Sequence, residues 1–376
     1  MASYRKRNNK WQYRISHKDP FTQKYIEKSK GGFRTKKEAQ LAAAKMEEEI
    51  KEGYFHTSVS LKAFLLEWLE VYKKDEVREN TYKLHKYSIE KHILPFFKDL
   101  MLDQLNPTRY QKFINELADK GLSKRTIENI HSTMSNAMKK AVILSKIKTN
   151  PCIGVTLKGK TKEKEINYLE KEALSQFLQE AYRYGYEYGF FFKILLETGL
   201  RKGEAAALQW KDIDLVNGTI NVTKTLNFSA KNDTEVFGSP KTKNSKRLIT
   251  ISDGLVEELK KHQLHQKKDK LTCGSMYNHS LNLVHCRKDG SFLRKSSLHN
   301  AFRKIKSRAN LPDIAIHALR HTHAVLMLEA GVDMKYIQER LGHKSIQITS
   351  DIYAHISKKL EDNNFKKYQS YVSSYI

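Results

Sequence analysis

Apolar and aromatic side chains in the second quarter of the chain recur with the period of an α-helix. They fall on one helical face, at Leu61, Phe64, Leu65, Trp68, Leu69 and Tyr72. The same kind of pattern predicts helices over residues 81–97, 108–120 and 123–147. Residues 57–160 are therefore expected to form a helical bundle.

The N-terminal segment has a different pattern. Residues 11–15 alternate large and polar side chains, as a half-buried strand does. Residues 21–26 are expected to form a second strand, and Gly31-Gly32 a turn into a third. Thr35 lies three residues before Glu38, the spacing of a capping box, so a helix is predicted over residues 39–50. Residues 1–56 are thus predicted to be a small α+β domain, a three-stranded sheet with one helix.

The remainder of the chain is predicted to be a mixed α/β domain. Asn217-Gly218 is a strong hairpin signal within residues 214–222, and residues 247–251 are a further predicted strand. The basic residues 240–246 are expected to be a hairpin tip. The charged, apolar-poor stretch 158–165 is typical of an interdomain linker. A third domain is therefore expected over residues 161–376, in a multidomain, mostly α fold.

Composition narrows the class of partner. The 376 residues include 68 Lys+Arg and 42 Asp+Glu, a net charge of +26, which favours a polyanion such as nucleic acid. Residues 1–37 are the most basic part, with 12 Lys+Arg against 2 Asp+Glu. No apolar run approaches the ~18–20 residues that span a bilayer, and the N-terminus lacks a secretory signal. Three cysteines in so long a chain argue against a disulfide scaffold and for a reducing compartment.

Four short segments carry candidate chemistry. Arg201, in TGLRKGE, is expected near a helix start, where a guanidinium can bind a phosphate. The alternative is an ordinary surface arginine that binds no ligand. His317 and Arg320, in HALRH, share a helical face. His343 follows Gly342, a predicted helix C-cap, and Tyr353 lies ten positions further on, in DIYAH.

Two groupings of histidine suggest zinc only weakly. His317 and His321 have the i, i+4 spacing of a zinc motif, but position 318 is Ala instead of Glu. His321 and His323 are expected to pack or cap. Cys273, His279, His285 and Cys286 lie close together, but their spacing is not that of a zinc finger or ribbon. No metal site is predicted.

In this order, the segments resemble the tyrosine recombinase (phage integrase) family, in particular the integrases of temperate phages and conjugative transposons of Gram-positive bacteria. The matching residues are Arg201, His317, Arg320, His343 and Tyr353. The resemblance covers the whole chain in three parts: residues 1–56 as an arm-type DNA-binding domain, residues 57–160 as a core-binding domain and residues 161–376 as the catalytic domain. The match of the first part rests on composition and layout.

The resemblance implies a role for each residue. Tyr353 would attack a DNA phosphodiester, giving a 3′-phosphotyrosine and a free 5′-hydroxyl. Arg201 and Arg320 would bind the non-bridging oxygens, His317 would accept the phenol proton and His343 would hydrogen-bond the phosphate. Glu204 would support the site. Lys241 is the best match to the lysine that protonates the leaving oxygen, and Lys243 and Lys246 are the alternatives.

The resemblance and the charge also indicate the DNA contacts. In the first domain these are Arg5, Arg7, Trp11, Arg14 and Arg34. Lys124 and Arg125 of the bundle and Lys243 and Lys246 of the hairpin are further candidates. For each of them, an ordinary solvated surface is the alternative.

The expected function is site-specific integration, and excision, of a phage or conjugative transposon through a Holliday junction. The implied partners are core and arm attachment sites on double-stranded DNA and three further copies of the chain in a tetramer. An excisionase and a host DNA-bending protein are possible additions, and no membrane partner is expected. The Lys- and Tyr-rich tail after Tyr353 resembles the segment that packs between protomers, with a frayed end as the alternative. The expected location is the cytoplasm of a bacterial host, on the nucleoid.

No cofactor is expected. The chain has no P-loop, and its acidic residues do not form an obvious cluster for two Mg²⁺ ions. Two other functions remain open. One is a topoisomerase-like enzyme with the same residues, which would have no need of a second DNA-binding head. The other is a non-catalytic DNA-binding protein, which the intact set of candidate residues disfavours.

Overall fold

The computed structural model describes residues 2–18, 25–51, 59–161, 167–238, 246–347, 349–354, 365, 369 and 371–373. It divides into two compact units, Met1–Glu163 and Lys164–Ile376. The predicted boundaries after residues 56 and 160 stay a prediction. Among the described helices, none is both long and apolar enough to cross a membrane.

The N-terminal part is a three-stranded antiparallel sheet covered by one helix. The strands are β1 (Ser3–Arg7), β2 (Lys10–Lys18) and β3 (Tyr25–Phe33), in that order, followed by α1 (Lys36–Lys51). Tyr13 and Ile15 of β2 pack with Ala43 of α1 in a small core.

Three strands were predicted, but two were placed incorrectly. Residues 11–15 belong to the middle strand, and Gly31-Gly32 lies at the end of β3 instead of in a turn before it. The first strand, SYRKR, was missed because Tyr4 is its only large apolar residue. Asn8 and Asn9 turn the chain into β2 with φ of 47° and 60°, a conformation that asparagine tolerates. Of the strand predicted over 21–26, residues 21–24 lie outside the described residues.

The rest of the first unit is the predicted helical bundle. Its helices are α2 (Leu61–Tyr72), α3 (Glu79–Ser88), a π turn (Ile89–Ile93), α4 (Leu94–Phe97), α5 (Pro107–Asp119) and α6 (Lys124–Ile143). The side chains of Ser60, Asn106 and Ser123 cap α2, α5 and α6. Helix α6 ends four residues before the predicted 147, where Ser145 takes a φ of 52°.

The second unit is mixed α/β. Its elements are α7 (Lys171–Tyr184), α8 (Tyr186–Thr198), α9 (Lys202–Ala206), β4 (Ile213–Asp214), β5 (Thr219–Val222), β6 (Thr225–Leu226), β7 (Phe237–Gly238), β8 (Arg247–Thr250), α10 (Asp253–Cys273), α11 (Lys295–Arg308), α12 (Ala318–Glu329) and α13 (Met334–Leu341). The sheet has the order β4-β5-β8 and is antiparallel. The predicted Asn217-Gly218 hairpin joins β4 to β5.

Helix α8 is the centre of this unit. Phe190, Phe191 and Phe192 are all fully buried, because neighbours surround the helix on every side. Gly199 ends α8 in the left-handed conformation, and α9 begins three residues later. A helix start had been expected near Arg201, and α9 confirms it. The helix begins at Lys202, because Arg201 and Glu204 form a capping box.

The fold prediction is confirmed in outline: a mostly α multidomain chain with a small N-terminal sheet, a helical bundle and a mixed α/β unit. The short β6–β7 hairpin was not predicted. Residues 239–245, which include most of the predicted hairpin tip, lie outside the described residues.

Candidate active site

Two candidate arginines are held by backbone carbonyls in the second unit. Arg320, in the first turn of α12, is 2% exposed; it donates to the carbonyls of Gly199 at 2.7 Å and Leu341 at 2.5 Å. Arg201, the N-cap of α9, donates to the carbonyl of Gly342 at 2.9 Å and to Glu204 Oε1 at 2.8 Å. Both guanidiniums are therefore fixed at the C-terminal end of α13 before any DNA is bound.

Gly199 allows this close approach. Its φ is +64°, and a Cβ there would lie 2.5 Å from Leu341 Cδ2 and 2.6 Å from the His323 ring. The residue must therefore be glycine for both backbone and packing reasons. The glycine of the TGLR segment thus places its own carbonyl against Arg320.

Glu204 is buried between two arginines. Its carboxylate accepts the backbone N–H of Arg201 at 3.0 Å and Arg247 Nη2 at 2.9 Å, besides the Arg201 side chain. Burial would raise the pKa of this carboxyl, but the charges of Arg247 and Arg201 outweigh it and hold the pKa below its usual value. Glu204 therefore stays ionised and orients Arg201.

His343 is buried beside the arginines. Its Nδ1 lies 2.9 Å from Thr349 Oγ1, and its backbone N–H donates to the Gln338 carbonyl. Burial, followed by the charges of Arg320 and Arg201, lowers its pKa to about 3. The neutral ring carries its one proton on either Nδ1 or Nε2. It can therefore donate a hydrogen bond to a ligand only in the tautomer whose N–H faces that ligand.

His317 is the N-cap residue of α12 and has an exposed side. Its ring lies 4.8 Å from that of His321, nearly perpendicular to it. Loss of hydration, the nearby His321 and the charge of Arg320 lower the pKa of His317 to about 4. It is thus unprotonated at neutral pH and can accept a proton.

His323 has a structural position, as expected. Its Nδ1 lies 2.7 Å from the Leu196 carbonyl, and its Nε2 accepts from Arg340 Nε at 3.2 Å. Since Arg340 only donates, Nδ1 must carry the proton and donate to Leu196. The contact ties α12 to α8. Arg340 also donates to the Thr250 carbonyl at 2.7 Å, which ties α13 to β8.

Tyr353 lies on the helical turn after Thr349. It is half-buried and packs against a cluster formed by α12, α13 and Ile352. Lys246 is exposed just before β8, whereas Lys241 and Lys243 lie outside the described residues. Lys241 as the proton donor, with Lys243 and Lys246 as alternatives, therefore stays a prediction.

Sequence reasoning missed three contributors: Arg247, Arg340 and Thr349. Arg247 follows a run of lysines that hid it, and Arg340 directly precedes the LGH segment without any pattern of its own. The only usable signal was for Thr349, a hydroxyl six residues after His343. The contacts of the two arginines span 17 to 143 residues and are invisible to local patterns.

Of the four residues Cys273, His279, His285 and Cys286, the last two are buried in the core, whereas Cys273 is half-buried and His279 is exposed. His285 lies against Phe190 and Phe191, and Cys286 Sγ accepts from Gln266 Nε2 at 3.1 Å. Within the described ranges, no three His, Cys, Asp or Glu side chains are grouped as metal ligands would be.

The predicted DNA contacts on the N-terminal sheet lie on two different faces, one covered by α1 and one open. The register pairs Ser3 with Arg14 and Arg5 with Gln12, so Arg5, Arg7 and Arg14 share the face that is not covered by α1. Arg14 also pairs with Glu27 at 2.5 Å. Trp11 shares the covered side with Tyr13, and the Lys36 ammonium lies 5.8 Å from its ring centroid.

The other three candidates are exposed. Arg34 follows β3, and Lys124 and Arg125 begin α6. Arg125 is 81% exposed and lies 3.3 Å from Glu128. Each of these side chains is accessible to a polyanion.

Three protein-family models match parts of the chain. The Phage integrase family matches residues 167–359, just over half of the chain. The chain belongs to the phage integrase family. Two further matches precede it: the arm DNA-binding domain over residues 2–50, and the N-terminal SAM-like domain of phage integrases over residues 60–118.

Several known proteins are similar to this chain over most of their length. The ICEBs1 integrase of Bacillus subtilis is 30% identical over 324 residues, 86% of each chain. The integrase of Staphylococcus phage L54a is 30% identical over 345 residues, which is 84% of this chain and 96% of that one. The Tn1549 transposon integrase, solved in complex with transposon right end DNA, has the same fold, with 20% identity and a TM-score of 0.65 over 81% of this chain and 99% of that one.

The resemblance seen in the sequence is thereby confirmed. This integrase is a tyrosine site-specific recombinase of a mobile element, and DNA is its partner.

Proposed function

We propose that this integrase cleaves DNA with Tyr353 while Arg201 and Arg320 bind the scissile phosphate. The observation that carries the proposal is the anchoring of both guanidiniums on consecutive carbonyls, those of Leu341 and Gly342, next to His343. Donors held in place before the reaction cost no reorganisation when negative charge develops in the transition state. Glu204 can neutralise only one of the positive charges gathered there, which leaves positive charge for the phosphate.

The proposed step moves one proton at each end. Tyr353 Oη attacks phosphorus while its proton passes to His317, forming the 3′-phosphotyrosyl bond. The bond from phosphorus to the 5′-oxygen breaks, and a hairpin lysine, Lys241 in preference to Lys243 or Lys246, protonates that oxygen. His343 hydrogen-bonds a non-bridging oxygen. The new ester retains the energy of the cleaved bond, so another 5′-hydroxyl can attack it without a nucleotide.

The first unit would bring the DNA sites together. Arg5, Arg7 and Arg14 on the open face of the sheet, with Arg34, would contact arm-type sites. Lys124 and Arg125 would contact the core site, where cleavage occurs. Trp11 stands apart, since it lies on the covered side of the sheet, and we assign it to packing on Lys36.

The reaction would take place in a tetramer that holds two sites and passes through a Holliday junction, as in the solved lambda integrase tetramer. The element would be integrated and excised in the bacterial cytoplasm, on the nucleoid. An excisionase and a host DNA-bending protein would set the direction.

A nicked suicide duplex from the element's attachment site tests the proposal. Wild-type protein is expected to form a covalent protein–DNA adduct that survives denaturation, and Tyr353→Phe is expected to form none. Tyr336→Phe, an exposed tyrosine on α13, is the matched control and should retain the adduct. An adduct with Tyr353→Phe would assign the nucleophile to another tyrosine. Tight binding without any adduct would refute the catalytic proposal.

A further inference from the structure

A third arginine uses the same helix end as the two candidate phosphate ligands. Arg247 Nε donates to the Arg340 carbonyl at 2.6 Å, Arg320 to the Leu341 carbonyl at 2.5 Å and Arg201 to the Gly342 carbonyl at 2.9 Å. Three successive carbonyls of α13 thus each receive a different guanidinium. These carbonyls are the negative end of the helix dipole, which favours cations.

Arg247 differs from the other two in its second contact. Its side chain is 7% exposed, and its Nη2 lies 2.9 Å from Glu204 Oε2. Glu204 Oε1 is bound by Arg201. The two arginines therefore share one buried carboxylate. Counted over these described residues alone, three guanidiniums and one carboxylate leave two positive charges.

We propose that Arg247 is a positioning residue that sets the charge available to the scissile phosphate. It compensates Glu204, so that Arg201 is oriented by this carboxylate without being neutralised by it. This inference rests on the proposed role of the two arginines. Arg247 itself does not touch the DNA.

Charge and packing can be separated by substitution. Arg247→Gln removes one positive charge and leaves Glu204 to Arg201 alone. The double variant Glu204→Gln/Arg247→Gln restores the count of two positive charges while lacking both partners. If Arg247 acts through charge, the double variant should cleave faster than Arg247→Gln. If Arg247 only fills space, adding Glu204→Gln should not increase the cleavage rate.

The substrate supplies an independent readout. A methyl group in place of one non-bridging oxygen of the scissile phosphate removes its negative charge, so the transition state depends less on cationic side chains. Single-turnover strand cleavage is measured with the phosphodiester and the methylphosphonate duplex. Arg247→Gln is expected to slow phosphodiester cleavage on the order of 10- to 100-fold. We expect the methylphosphonate to remove most of this defect, and Arg247→Lys to cleave faster than Arg247→Gln.

Arg201→Ala is the reference, since its defect should also shrink with the methylphosphonate. An equal defect of Arg247→Gln on both substrates, or no faster cleavage by the double variant, would overturn the proposal. If Arg247→Gln does not fold, Glu204→Gln is compared with the double variant. Once Glu204→Gln has removed the carboxylate charge, Arg247 should be dispensable, and a further loss of about tenfold or more would overturn the proposal. Failure of wild-type protein to cleave would instead refute the proposed function.

Discussion

The chain carries arginines in two contrasting settings. On the open face of the N-terminal sheet, Arg5 and Arg7 are exposed and Arg14 pairs with Glu27 at the surface. In the second unit, Arg320 and Arg247 are almost fully buried, and they and the half-buried Arg201 are bound by carbonyls of α13. Both groups face a phosphate in the proposed function, Arg247 only indirectly.

The two settings allow an arginine to contribute in different ways. An exposed guanidinium is screened by salt and free to change its rotamer, so it contributes affinity that depends on ionic strength. A buried guanidinium has lost its hydration, and its geometry is set by the fold, so it can stabilise a transition state. Substitutions in the two groups should therefore affect different measurements.

The largest effect is expected at Arg320. In Arg320→Lys the charge remains, but an ammonium cannot hold the carbonyls of Gly199 and Leu341 and bind a phosphate oxygen together. Adduct formation on the suicide duplex should fall by about 10²–10³-fold, with duplex binding nearly unchanged. Arg183→Lys, at an exposed position on α7, is the control. If Arg320→Lys lost as much duplex binding as cleavage, buried arginines would not differ from exposed ones in the way described.

Lowering the pH is expected to have an effect of intermediate size, on the stability of the folded chain. Burial, followed by Arg340, lowers the pKa of His323 to about 4 from 6.5, and the pKa of His343 is lowered to about 3. The unfolded chain therefore binds more protons than the folded chain as pH falls below 6.5, and stability is lost down to the folded pKa. At about 1.36 kcal/mol for each pKa unit, His323 can contribute up to about 3 kcal/mol and His343 up to about 5 kcal/mol.

The melting temperature of the full chain at pH 7.5 and pH 5 measures this loss. The decrease should be smaller in His323→Gln, which cannot be protonated. His265→Gln, at a more exposed position on α10, is the matched control and should behave as wild type. If His323→Gln loses as much stability as wild type over this range, burial of neutral His323 is not a source of the acid sensitivity.

The smallest effect is expected on the open face of the sheet. Arg5→Ala/Arg7→Ala should weaken binding to arm-site duplex and reduce the slope of log affinity against log salt by about 0.9 for each phosphate that the variant no longer binds. Cleavage of the core suicide duplex should not change. The same binding measurements on Lys10→Ala, a single substitution on this face, provide a comparison with the double variant. A changed cleavage rate with an unchanged salt slope would show that the face does not bind arm DNA.

Local structure was predictable where its cause is local. Gly342 ends the helix before His343 and Asn217-Gly218 turns between two strands, as the sequence indicated, and Ser123, where a helix was predicted to begin, caps α6. The missed strand β1 has a single large apolar side chain and depends on pairing with β2. Its structure is decided by a neighbour, not by its own pattern.

The sequence alone determined which residues are candidates: Arg201, Glu204, His317, Arg320, His343 and Tyr353 each lie in a short segment whose order along the chain is diagnostic. Tertiary structure decided how they are held. The contacts from Arg320 to Gly199 and from Arg201 to Gly342 join residues 121 and 141 positions apart. No periodicity or cap encodes such a pair, because the carbonyl that receives each guanidinium exists on every residue and becomes specific only when packing brings it near.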